Sequence, residues 1–259
     1  MGTYVASARG GTTAGSSITM TITVPAGVTT AHTGLLCLAG ANPTMPASFT
    51  ITGGSAVVAT VFAPAVANNM WFAAYRVSNV AAGTVLTITG TTSNLFAGAV
   101  HFFTDDFLVG TKADRAGVSQ AFVNAPTFAV VGGARCWVVA SDRTSAATAI
   151  SSATNANSNA ITQKYYNDPN VTNEGGTSFF LGEFISNVGA ATGQSVVTWN
   201  AASGNAVAFH IAEAVTISGR PKVWDGTQWV RKPVKVWDGA AWVIKPVKVW
   251  DGTQWKIVQ

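Results

Sequence analysis

Charge is what this chain has least of. Asp, Glu, Lys and Arg make up 10% of its 259 residues, against roughly 25% in an ordinary soluble domain. So thin a charged surface suits a chain that packs against neighbours better than a free monomer. Cysteine is nearly absent as well. Cys37 and Cys136 both sit in apolar runs, LLCLAG and ARCWVVA, which predicts buried free thiols and excludes a disulfide-built fold. Three histidines, His32, His101 and His210, stand at no metal-ligand spacing, so the expectation is no metal and no cofactor. No apolar run reaches the roughly 20 residues that a membrane-spanning helix requires. The opening MGTYVASARGG lacks the basic region and apolar core of a secretory signal, which predicts synthesis in a cytoplasm and no exit by that route.

Signatures of chemistry are equally sparse. Asp105-Asp106 follows an apolar stretch and could join Asp114 or Asp142 in a glycosidase-like carboxylate pair; a solvated turn is the preferred reading. GTKADRAG, residues 110–117, has no spaced glycine run before Lys112 and is not a phosphate loop. GGSAVVA and GGARCW resemble no nucleophile elbow. The expectation is a protein that is not an enzyme.

What charge there is lies unevenly. Residues 1–218 hold seven Lys and Arg against eight Asp and Glu, and residues 219–259 hold eight against three, giving balances of −1 and +5. The basic residues of the tail are interleaved with Trp and Val in repeated units rather than clustered, so nucleic acid is not an expected partner.

Through residue 218 the dominant pattern is short alternating segments broken by Gly, Pro and Asn. SITMTITV, residues 17–24, alternates threonines with apolar residues and stops at Pro25-Ala26-Gly27, a strand and its turn. Further strands are expected at Leu35 to Ala39, Phe49 to Thr52, Ala56 to Phe62, Trp71 to Val77, Thr84 to Thr89 and Gly98 to Thr104. After these come Ala134 to Ala140, Ser178 to Ile185, Val196 to Trp199 and Ala206 to Ala212. Each is expected to send one row of Val, Ile, Phe or Leu into a shared core and one row of Thr, Ser or Ala outward. Many short strands without an amphipathic helix predict an all-β antiparallel sandwich, jelly-roll-like, over residues 1–218. Residues 141–174 are small and polar and are expected to form a long irregular insertion with one short strand near Ala160 to Tyr166.

The strongest pattern closes the chain. KVWDGTQWVRKPV, KVWDGAAWVIKPV and KVWDGTQWKIVQ repeat with a period of thirteen. Trp224, Trp237 and Trp250 recur in register, as do Trp229, Trp242 and Trp255. The pairs Asp225-Gly226, Asp238-Gly239 and Asp251-Gly252 recur between them. Asp can hydrogen-bond its own turn and Gly accepts positive φ, so each copy is expected to be a β-hairpin with its two tryptophans facing each other. Such aromatic pairs contribute roughly 0.5–1.5 kcal/mol beyond area burial, which helps a hairpin that is marginal alone. Residues 219–259 therefore read as an array of three hairpins and as a docking module; glycan binding through exposed indoles and a self-contained cap are the alternatives.

GGTTAGSSITMTITVPAGVTTAHTGLLCLAG, MWFAAYRV and AAGTVLTITG resemble β-sandwich domains of structural proteins in tailed bacteriophages. The KVWDGTQWVRKPVKVWDG copies resemble the short Trp repeats that end some minor tail proteins of phages infecting actinobacteria. The resemblance implies a virion component, on the tail rather than the head, made in the host cytoplasm. It further implies other virion structural proteins as partners and a symmetric homo-oligomer, a trimer by preference. Capsid decoration and binding to a host cell-wall glycan are the alternatives it leaves, and it implies no catalytic residue.

Overall fold

Threonine- and valine-rich segments pair into antiparallel ladders throughout the computed structural model. It describes residues 2–11, 19–41, 46, 48–67, 70–90, 96–130, 134–143, 149–156, 161–166, 177–186, 192–214, 222–224, 226–227, 229–231, 235–244, 248–250 and 255–257. Among them are twenty-one strands and no helix. The chain divides into two units, Met1–Ala214 and Val215–Gln259.

The first half of the larger unit runs β1 (Tyr4–Gly11), β2 (Thr19–Thr23), β3 (Thr33–Ala41), β4 (Phe49–Thr52), β5 (Val57–Ala67), β6 (Met70–Ser78), β7 (Val85–Gly90) and β8 (Phe96–Phe103). They form a five-stranded sheet of order β1-β8-β3-β6-β5 and a three-stranded sheet of order β2-β7-β4. Consecutive strands alternate between the two sheets from β1 to β4, which is jelly-roll topology. The edge strand β5 carries Pro64 and two register shifts, between Thr60 and Phe62 and between Phe62 and Ala65. Both features discourage pairing with another chain.

The second half repeats this path with fewer breaks. It comprises β9 (Phe107–Val109), β10 (Ala113–Ala125), β11 (Arg135–Arg143), β12 (Ile150–Asn155), β13 (Thr162–Tyr166), β14 (Thr177–Ile185) and β15 (Ser195–Glu213). β9 and the start of β10 pair with the end of β15, followed by β11, β14 and β13. The end of β10 and β12 flank the start of β15. The order thus matches β1-β8-β3-β6-β5 and β2-β7-β4, with single long strands serving both layers. Register shifts between Ala116, Gln120 and Phe122 mark where these long strands cross over, as β-bulges allow. The segments expected at Val196 to Trp199 and Ala206 to Ala212 are therefore one strand of 19 residues.

Three hydrophobic clusters, not one, hold the body. Leu36, Leu38, Trp71, Phe96 and Phe102 pack against Met20, Ile22, Leu86 and Ile88 inside the first jelly roll. Cys136, Val138, Phe180 and Phe184 pack against Val123, Val197 and Trp199 inside the second. Between the two rolls lies a third cluster, in which Cys37, Phe72 and Phe103 meet Trp137, Phe179, Leu181 and Phe209. The five-stranded sheet is consequently covered on both faces, and all eight residues of β8 are buried. That corrects the expected outward row of small polar residues: a strand covered on both sides reads as a continuous apolar run. Gly98 follows from the same crowding, since a Cβ there would lie 2.6 Å from Met20 Cε and 2.7 Å from Leu38 Cδ2. Trp71, Trp137 and Trp199 are fully buried, each stabilising the fold by about 1.5–3 kcal/mol or more.

The polar stretch 141–174 is not one loop. It holds the end of β11, all of β12 and all of β13, the last two overlapping or adding to the single short strand expected there. Both cysteines are free and buried, and burial raises both thiol pKa values, that of Cys136 to about 12.

Candidate docking site on the tryptophan hairpins

Six further strands make three hairpins: β16 (Lys222–Trp224) with β17 (Trp229–Arg231), β18 (Lys235–Trp237) with β19 (Trp242–Ile244), and β20 (Lys248–Trp250) with β21 (Trp255–Ile257). The registers are equivalent. Trp224 pairs Trp229, Trp237 pairs Trp242 and Trp250 pairs Trp255. One residue further from the turn, Val223 pairs Val230, Val236 pairs Val243 and Val249 pairs Lys256.

The middle hairpin shows why this sequence turns. Oδ1 of Asp238 accepts the N–H groups of Ala240 and Ala241, each at 2.9 Å, and the Asp238 N–H donates to the carbonyl of Ala241 at 3.1 Å. Gly239 has φ +105°, a conformation that few side chains tolerate. The Ala241 and Ala240 N–H groups hold the Asp238 carboxyl below its ordinary pKa. Gly226 has φ +103°. Asp225, Asp251 and Gly252, expected in the other two turns, lie outside the described residues.

The rings of Trp237 and Trp242 meet edge to face, with centroids 5.8 Å apart and planes at 60°. They remain 52% and 65% exposed. Lys235, Trp237, Trp242 and Ile244 share one face by strand alternation, and Val236 and Val243 share the other. Ile244 and Val236 are exposed too, so apolar surface faces solvent on both sides. Trp237 and Trp242 were singled out from the repeat alone; Ile244 was not, because the first copy has Arg231 at that place, and Val236, although it recurs as Val223 and Val249, carries no turn or aromatic-pairing signal of its own.

The carboxylates considered for catalysis do not act together. Asp106 pairs with Arg76 at 3.2 Å, Asp114 with Lys112, and the fully buried Asp142 with Arg115 at 3.5 Å. Arg76 also donates to the carbonyl of Phe107 at 2.6 Å and lies over its ring, on the wall of a groove of about 340 Å³ between β5 and β9. Among the described residues no group of three or more His, Cys, Asp or Glu could hold a metal ion, and no helix is long and apolar enough to cross a membrane.

His101 and His210, which stand at no ligand spacing in the sequence, are both buried, and their hydrogen-bond partners are set by the fold and have no spacing rule. His101 Nδ1 and the Ser7 hydroxyl share a hydrogen bond of 2.7 Å, and Tyr4 donates to Ser7 at 3.0 Å. Its Nε2 finds no partner among the described residues. His210 Nδ1 donates to the Pro126 carbonyl at 2.7 Å, and Nε2 accepts from Ser195 at 2.7 Å. Asn155 Nδ2 donates to Ser195 Oγ at 2.7 Å. A serine bonded to a histidine is the beginning of a nucleophile and base, but both side chains are fully buried and the Ser195 oxygen is occupied, so the chain of bonds fastens loops together instead.

Compared with known proteins, the chain matches no family model, no curated protein and no solved structure.

Proposed function

We propose that this chain is a structural, non-enzymatic component of a bacteriophage virion, a minor tail protein of the tail tip or its appendages, and that the tryptophan hairpins dock it onto other virion proteins. One observation carries the reading. Trp237 and Trp242 are ordered against each other by a turn that satisfies its own hydrogen bonds, yet both residues are more than half exposed. Exposed, pre-organised aromatic surface of this kind is what binding hot spots are made of. The body offers a contrast, since its three tryptophans are all spent on the core.

The test is deletion of residues 220–259 in the phage. The body should still fold and should no longer enter particles; normal incorporation of the shortened chain would end the docking reading. A compact label fused after Gln259 and imaged on intact particles separates tail from head. Regular label over the head would make this a capsid decoration protein.

A further inference from the structure

Charges on each hairpin separate by register. Lys222, Lys235 and Lys248 stand at the open ends, opposite Arg231, Ile244 and Ile257, whereas Asp238 stands at the turn of the middle hairpin. Three strand steps separate Lys235 from Asp238, about 10 Å at roughly 3.3 Å per residue. That is about one Debye length at about 0.1 M salt, too far for an internal ion pair. Lys235 is exposed and makes no ion pair among the described residues, while Asp238 is committed to its turn. Residues 215–259 hold eight Lys and Arg against three Asp, and residues 1–214 hold seven against eight Asp and Glu.

Resting on the docking reading above, we infer that the partner of the hairpins is an acidic protein face that receives the indoles and neutralises the lysines beside them. A second copy of this chain does not fit, because its own tail carries the same excess of positive charge and its body is nearly neutral. A flat sugar ring does not fit either, since indoles inclined at 60° share no plane. Acyl chains are opposed by the ionised carboxylate of Asp238 next to the rings. An uneven protein surface with carboxylates at its rim meets both requirements, and opposed charge at a rim sets association rate and specificity.

The probe is the purified particle made without this chain, to which the full-length chain is added back. Variants Lys222→Gln, Lys235→Gln and Lys248→Gln are combined, with the matching Lys→Arg set as a rescue. Retention should fall about tenfold or more between about 0.1 M and about 1 M salt as screening tightens, and comparably for the Gln set at low salt, and the Arg set should restore it. Retention that ignores both salt and the Gln set, yet is lost in Trp237→Ala/Trp242→Ala, would overturn the acidic partner and leave docking standing. No retention of the unmodified chain at low salt would overturn both. Binding to phosphatidylglycerol vesicles but not to particles would make the partner a lipid surface and overturn the inference.

Discussion

The hydroxyl of Ser195 donates to Nε2 of His210 over 2.7 Å, and this bond orders the pole of the second jelly roll. With Nδ1 committed to Pro126 and Asn155 donating to Ser195, one serine joins β12, β15 and the segment after β10. Ser195→Ala leaves a buried imidazole nitrogen without its hydroxyl donor and removes the shorter bond of Asn155 Nδ2, which keeps the Gly193 carbonyl at 3.5 Å. The expected cost is about 1–3 kcal/mol or more, read as a lower urea midpoint with an unchanged slope. An unchanged midpoint would mean that the network adds nothing to stability.

Both buried histidines make stability depend on pH in one direction. Burial lowers the pKa of His101 to about 3 and that of His210 to about 4, from 6.5. Between those values and 6.5 the unfolded chain binds more protons than the folded one, so stability is full above about pH 6.5 and is lost as pH falls toward the folded values. Denaturation midpoints measured at falling pH should drop across this window, and replacing both histidines by Gln should flatten the profile even if it lowers the starting value. A midpoint that stays level in the unsubstituted chain from pH 7 to pH 4 would contradict it.

Asp142 is fully buried against Arg115, whose guanidinium burial destabilises and Asp142 stabilises in its charged form. Asp142→Asn keeps the shape and removes the charge that stabilises the Arg115 guanidinium in its buried place. The expected loss is about 3–5 kcal/mol. Asp114→Asn, at a partly exposed pair with Lys112, should cost less than about 1 kcal/mol, and thermal melts of the two variants side by side distinguish a buried pair from a surface one.

How much of this was legible in sequence depended on which physical signal each residue carried. Trp237, Asp238, Gly239 and Trp242 stood out because turn chemistry and aromatic pairing recur every thirteen residues, and the observed register follows from them. Thr19–Thr23 and Val85–Gly90 alternate cleanly because only one side of their sheet is covered by the core. Tyr4–Gly11 and Ala113–Ala125 were missed as strands, for small and charged residues interrupt any period of two. The doubling of the fold was missed for a different reason: it lies in strand order, and its trace in the chain is faint. Val77-Ser78-Asn79-Val80 and Ile185-Ser186-Asn187-Val188 begin in the last residues of β6 and β14, strands with equivalent places in the two halves. Nothing in the spacing of Ser195 and His210 foretells their contact, which exists only because the start and the end of one long strand lie in facing layers.

Tryptophan fluorescence separates the two units without any partner. Six of the nine tryptophans lie in residues 215–259, and the three others, Trp71, Trp137 and Trp199, are fully buried. Emission of the whole chain should therefore contain a strong component from solvent-exposed indoles that iodide quenches. A chain ending at Ala214 should emit at shorter wavelength and resist iodide, while its denaturation midpoint stays within about 0.5 kcal/mol of the full chain, as expected when the removed residues add nothing to the core. Asp238→Ala removes the acceptor for the Ala240 and Ala241 N–H groups and should weaken the edge-to-face coupling of Trp237 and Trp242 in far-ultraviolet circular dichroism without moving that midpoint. If truncation instead lowers the midpoint by several kcal/mol, the hairpins cover part of their own body, and the open indoles of the middle repeat are not free for another protein.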